Sequence, residues 1–150
     1  MCLRVNKKVR NNHHKEDGYC VAYKVIFHDN TTLFARCDDF VYTIGENVPY
    51  KQNENGHEWS LSLNSFEGQI VYFGLHLFLD KRMAKKLVEH ENRFGVGRGD
   101  DLCKMIKVYY KPEDVIAYGR SNTFHSFDDN EVEKSVVVRK LTIKSLDPIE

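Results

Sequence analysis

Residues 74–90 read GLHLFLDKRMAKKLVEH, and this stretch joins the two kinds of structure that define the fold. Before Asp80, a short apolar run of Leu75, His76, Leu77, Phe78 and Leu79 follows a glycine, which is the pattern of a strand. After it, Met83, Ala84, Leu87 and Val88 fall on one face at helical spacing, and Lys81, Lys85, Lys86 and Glu89 lie outside that face. Asp80 suits the N-cap, because its carboxylate accepts an orphan N–H of the first turn and sits at the positive end of the helix dipole. The stretch therefore predicts a strand, a cap and one principal helix over about 80–91.

Working outward, the chain reads mostly as strands. YCVAYKVIFH (19–28) is rich in β-branched and aromatic residues, HDNTT has turn chemistry, and LFARC (33–37) returns, which predicts a hairpin. FVYTIG (40–45) predicts a third strand ended by Gly45, and a polar loop follows over 47–58. WSLSLN (59–64) and GQIVYFGLHLFL (68–79) supply further strands, the second long enough to need a break at Gly74. In LCKMIKVYY (102–110), Lys104 and Lys107 depart from strict alternation and suggest a bulge. PEDVIAYG (112–119) fits a helical turn leading into a strand, and SVVVRKLTIK (135–144) closes the sheet. The expected fold is α+β, a mainly antiparallel (mixed) sheet with one principal helix packed on it. The expected organisation is a basic N-terminal arm over 1–18 followed by a single α+β domain over 19–150.

At 150 residues the chain is one ordinary domain, able to bury roughly 70% of its unfolded surface without disulfides or metals. Hydrophobic content of 41% with only three prolines excludes disordered and collagen-like classes. No apolar run approaches the ~20 residues of a membrane span, and MCLRVNKKVRNNHHK lacks the apolar stretch of a secretory signal. A cytoplasmic location is expected, with no membrane partner. With 22 basic and 22 acidic residues, no global field attracts nucleic acid. Residues 1–15, however, carry Arg4, Lys7, Lys8, Arg10 and Lys15 and no acid. Such a segment grips phosphate or an acidic protein surface. It holds no aromatic residue for base stacking, which favours a protein partner.

The motifs of common chemistry are absent from the sequence. Cys2, Cys20, Cys37 and Cys103 form no C-x-x-C pair, and the seven histidines include no HxH, HxxxH or HExxH, so no metal site is predicted. Cys20, Cys37 and Cys103 sit in apolar contexts as small hydrophobes. Cys2 becomes a terminal thiol beside an α-amine if Met1 is removed. GVGRGDD (95–101) follows the helix, whereas a phosphate-binding loop must precede one; it predicts a turn. Glu131 and Glu133 project to one side if extended, an arrangement used for acid–base or ribose-holding roles and also found at solvated strand entrances. Facing opposite to Leu75 and Leu77, His76 is expected to be at least partly buried and structural.

The ordered segments YKVI, YTIG, GLHLFLDKRMAKKL, KVYYKPEDVIAYG and SVVVRKL resemble a set of small uncharacterised proteins from phages and large DNA viruses. The likeness runs from about residue 19 to 144. Its motif is a Gly-Phe-His-x-Phe strand before an alanine-bearing helix, matched at Gly74, His76, Phe78 and Ala84, with Leu75 in place of the usual aromatic. It implies viral origin, in host cytoplasm or virion, and no assigned chemistry. The lack of a complete catalytic set, together with a basic arm on a neutral body, gives the expectation of a non-enzymatic interaction module or minor virion component with a viral or host protein partner. Partner binding is expected at Arg4, Lys7, Lys8 and Arg10, with nucleic acid as the alternative ligand of residues 1–15. Residues 74–84 together with Glu131 and Glu133 are also similar to ADP-ribosyltransferase-like domains. That resemblance implies NAD as cofactor, with His76, Glu131 and Glu133 at the site; the leading expectation involves no cofactor.

Overall fold

The computed structural model describes residues 3–11, 15–32, 41–48, 67–71, 74–94, 102–121 and 134–150. Among them are ten strands: β1 Leu3–Val5, β2 Lys15–Glu16, β3 Tyr19–Phe27, β4 Gly45–Asn47, β5 Ile70–Val71, β6 Leu75–Phe78, β7 Cys103–Tyr110, β8 Val115–Ser121, β9 Lys134–Val138 and β10 Leu141–Ile143. One α-helix, α1, spans Lys81–Phe94. The strands form a single antiparallel sheet in the order β4-β10-β7-β3-β6-β9-β8-β1-β5, with β2 paired to β3. The fold is α+β, as the sequence predicts.

The sheet is strongly curled, and the connection between β9 and β10 requires it. Only Arg139 and Lys140 separate the two strands, so Val138 and Leu141 lie at most about 11 Å apart along three Cα steps. The strands stand four positions apart in the sheet, about 19 Å if it were flat. Curling closes that gap and buries one face of the sheet against itself. Ala22 and Ile26, Leu75 and Leu77, Ile106 and Val108, Val136 and Val138, and Leu141 and Ile143 form the main core there.

The opposite face is covered in part by α1. Met83, Ala84 and Leu87 pack on Val25, Phe27, Phe78, Cys103 and Met105. Asp80 caps the helix as expected, accepting the Arg82 N–H on Oδ1 at 2.8 Å. The helix runs a turn further than 91. Its Asn92 side chain accepts the Cys103 N–H at 2.7 Å and donates to the Cys103 carbonyl at 3.3 Å, tying the helix end to the start of β7. Cys20 and Cys103 are buried free thiols.

Four local expectations need correction. The segment read as an arm supplies two strands of the sheet: β1 pairs with β8 and β5, and Leu3 and Val5 are buried with Ile116, Ala117 and Val137. Two apolar side chains flanking one cation are enough to make a strand when both find core partners. The suspected bulge in β7 does not exist, since β7 pairs with β3 without a shift over Cys103–Tyr110. Lys104 and Lys107 lie three residues apart and so on opposite faces. Lys104 is buried with its Nζ on Asn30 Oδ1 and the Leu146 carbonyl, and Lys107 pairs outside with Glu16 at 2.7 Å. The irregularity sits in β8, between Val115 and Ala117. Gly45, at φ 100, opens a strand rather than ending one, and the SVVVRKLTIK segment makes two strands instead of one. The hairpin return over 33–37, the WSLSLN segment and the GVGRGDD turn fall outside the described residues.

Candidate functional site

The registers of β1, β8 and β9 place Arg4 opposite Arg120 and Arg120 opposite Lys134. Side chains directly opposed on antiparallel strands share a face, with Cα atoms about 5 Å apart, so three cations stand in a row across roughly 10 Å. Like charges in this position repel. All three residues are exposed, and among the described residues none makes an ion pair or a side-chain hydrogen bond. Among the described residues the row is thus an unneutralised strip of positive charge.

Local sequence builds each part of it. In β1, burial of Leu3 and Val5 turns Arg4 outward. Gly119 lets β1 approach β8, because a Cβ there would overlap the Arg4 carbonyl. On the far side, a hydrogen bond between the buried Ser135 Oγ and Ser121 Oγ, 2.9 Å long, runs diagonally across the Arg120–Lys134 pair and fixes β9 against β8. Arg120 lies two residues from Tyr118, and Lys134 two residues from Val136. Both of those residues pack on the main core, so the row marks the rim where the inward face of the sheet meets solvent.

The remaining cations expected to bind a partner lie just beyond β1. Lys7 and Lys8 are exposed on a turn fixed by its backbone: the Lys7 N–H donates to Glu67 Oε2 at 2.8 Å and the Lys8 N–H to Asn6 Oδ1 at 3.0 Å. Arg10 is exposed and near Tyr118. The structure therefore joins Arg4 to Arg120 and Lys134, two residues that sequence reasoning missed. Arg120 is next to last in β8 and Lys134 opens β9, both in unremarkable surroundings, and only pairing between distant segments shows that they face one another.

His76 stands on the face expected of it. Leu75, Leu77 and Leu79 point into the main core; His76 is 6% exposed, opposite Val137 on the other face, with both ring nitrogens covered from solvent. Its backbone carbonyl accepts a 2.7 Å hydrogen bond from Lys24 Nζ. Burial lowers the Lys24 ammonium to about 8. Glu131 and Glu133 lie outside the described residues, so their distance from His76 is not part of the site geometry. Among the described residues no group of three His, Cys, Asp or Glu is placed to hold a metal, and no helix is long and apolar enough to cross a membrane.

A second charged cluster lies on the outer face of β3 and β7. Glu16 accepts from Lys107 Nζ at 2.7 Å and from the Tyr109 hydroxyl at 3.0 Å, and these bonds, the lysine's first, hold its carboxyl below the usual range. Lys144 lies 4.3 Å from the Tyr109 ring centroid and 3.5 Å from Asp17. Charges here are largely matched, which distinguishes this cluster from the rim. The chain matches no family model, no curated protein and no solved structure.

Proposed function

We propose that this chain is a non-enzymatic interaction module that docks an acidic surface of another protein onto the rim formed by Arg4, Arg120 and Lys134. The observation that carries this reading is the row itself: three opposed cations with no carboxylate among them are relieved by a partner that brings negative charge. Lys7, Lys8 and Arg10, exposed after β1, extend the positive surface. A viral or host protein in the host cytoplasm or virion is the partner that the viral resemblance suggests.

A protein suits the rim better than nucleic acid does. The body is neutral, with 22 charges of each sign, and the cationic row spans only about 10 Å, room for few phosphates. The test titrates the folded protein with an oligoglutamate peptide and, separately, with duplex DNA of mixed sequence. Saturable peptide binding that falls at least about tenfold in the Arg120→Glu, Lys134→Glu double variant is expected. Equal peptide binding by that variant sinks the proposal. Tighter binding of DNA, with a log–log salt slope near −3, would instead make the rim a nucleic-acid surface.

A further inference from the structure

A small pocket opens between β3, β4, β7 and β10, on a part of the molecule that shares no residue with the cationic rim. Tyr19, Glu46, Lys111, Asp114, Lys140 and Thr142 line it. Asp114 belongs to the 3-10 turn Pro112–Asp114 that leads into β8. It is only 6% exposed, and among the described residues its carboxylate receives no hydrogen bond and no ion pair. Its oxygens are not among the fully enclosed unpartnered side-chain atoms, so the carboxylate opens into the pocket. With no protein donor, it meets whatever occupies the pocket.

The other charges define what that occupant is. Glu46 and Lys140 neutralise each other at 3.8 Å. Lys111 leans over the Tyr19 ring, its Nζ 5.5 Å from the centroid, and reaches no carboxylate among the described residues. The pocket is left with one unmatched negative charge and one unmatched positive charge that do not pair with each other. A simple anion on Lys111 is opposed by Asp114, and a simple cation on Asp114 is opposed by Lys111. A molecule carrying both charges a few bonds apart satisfies both residues.

We propose that this pocket binds the zwitterionic head of a small α-amino acid, with the ligand's ammonium on Asp114 and its carboxylate on Lys111. The interior, about 30 Å³, holds roughly two water-sized groups. That suits an ammonium and a neighbouring carboxylate oxygen. The whole opening, about 240 Å³ with its mouth, leaves the ligand side chain facing solvent.

Amide NMR titration of the full chain tests this, using glycine and alanine beside methylammonium and acetate, each of which carries half of the charge pattern. Saturable shifts at Lys111, Asp114 and Thr142 are expected with the two amino acids and not with the two ions. Asp114→Asn and Lys111→Met should each weaken binding at least about tenfold while the unfolding midpoint holds. If Asp114→Asn fails to fold, Lys111→Met decides alone, since that side chain is partly exposed. A flat titration overturns the proposal. So does equal saturation by either ion, or unchanged affinity in the folded variants.

Discussion

Lys24 Nζ donates to the His76 carbonyl at 2.7 Å, beside the place where β3 and β6 share only the pair Tyr23 with Phe78. A lysine thus serves the backbone of a neighbouring strand from inside the main core, with the Tyr42 ring centroid 6.0 Å away. Burial lowers its ammonium from 10.5 to about 8. The unfolded chain therefore binds more protons than the folded one between those values, and this residue makes stability rise as pH climbs from about 8 to 10.5. The full effect is on the order of 3 kcal/mol. Urea unfolding at pH 7 and pH 10 should show wild type gaining on Lys24→Met as pH rises. A constant difference between the two proteins would refute the assignment.

β1 is a structural strand, so its apolar and charged residues should behave differently. Leu3→Ala removes a fully buried side chain and is expected to cost about 2–4 kcal/mol. Arg4→Ala, on the same strand but facing water, should change stability by no more than about 0.5 kcal/mol. Denaturant midpoints of the two variants decide the matter, and equal small effects would restore the picture of a detached arm.

Gly119 is required by contact rather than by backbone angle. A Cβ there overlaps the Arg4 carbonyl, so Gly119→Ala should push β1 off β8 and cost about 1–3 kcal/mol. Hydrogen exchange should quicken at Leu3–Val5 while the β3 and β7 amides stay protected. Uniform loss of protection across the sheet would show that the strand does not open separately.

The cationic row opposes folding even as it prepares a surface for a partner. Arg120→Thr should raise stability by about 0.2–1 kcal/mol at low salt, and the gain should shrink near 1 M salt, where the Debye length falls to about 3 Å. Urea is the appropriate denaturant, being uncharged. A gain independent of salt would mean that the arginine is strained for some reason other than charge.

Legibility in the sequence followed how local each interaction is. Asp80 and the Met83, Ala84, Leu87 stripe lie within one turn or two of each other, and cap and helix formed as read. β3 and β7 announced themselves by β-branched and aromatic content. Lys24 and Lys104 obscured which face was which, because both point inward with the ammonium on carbonyl or amide oxygens. The alternation of Leu3, Arg4 and Val5 was a readable strand signal, masked by the surrounding cations. For the rim the obstacle was deeper: Arg4, Arg120 and Lys134 become neighbours only through the β1–β8 and β8–β9 registers, and pairings between segments so far apart leave no mark in any short window.

The two-residue passage from β9 to β10 also governs when the molecule can assemble. Residues 134–143 supply one strand between β6 and β8 and another between β4 and β7, so the sheet has two gaps until they arrive. During synthesis, at about 5–20 residues per second, β3 can already pair with β6 and β7, and β1 with β5 and β8, but these two groups and β4 stay unjoined until residues 134–143 follow. Closure then joins β6 to β8 through β9 and β7 to β4 through β10, a nonlocal step of the kind that folds in milliseconds to seconds. In that interval Leu75, Leu77 and the inward side of β7 stay open to solvent on the nascent chain.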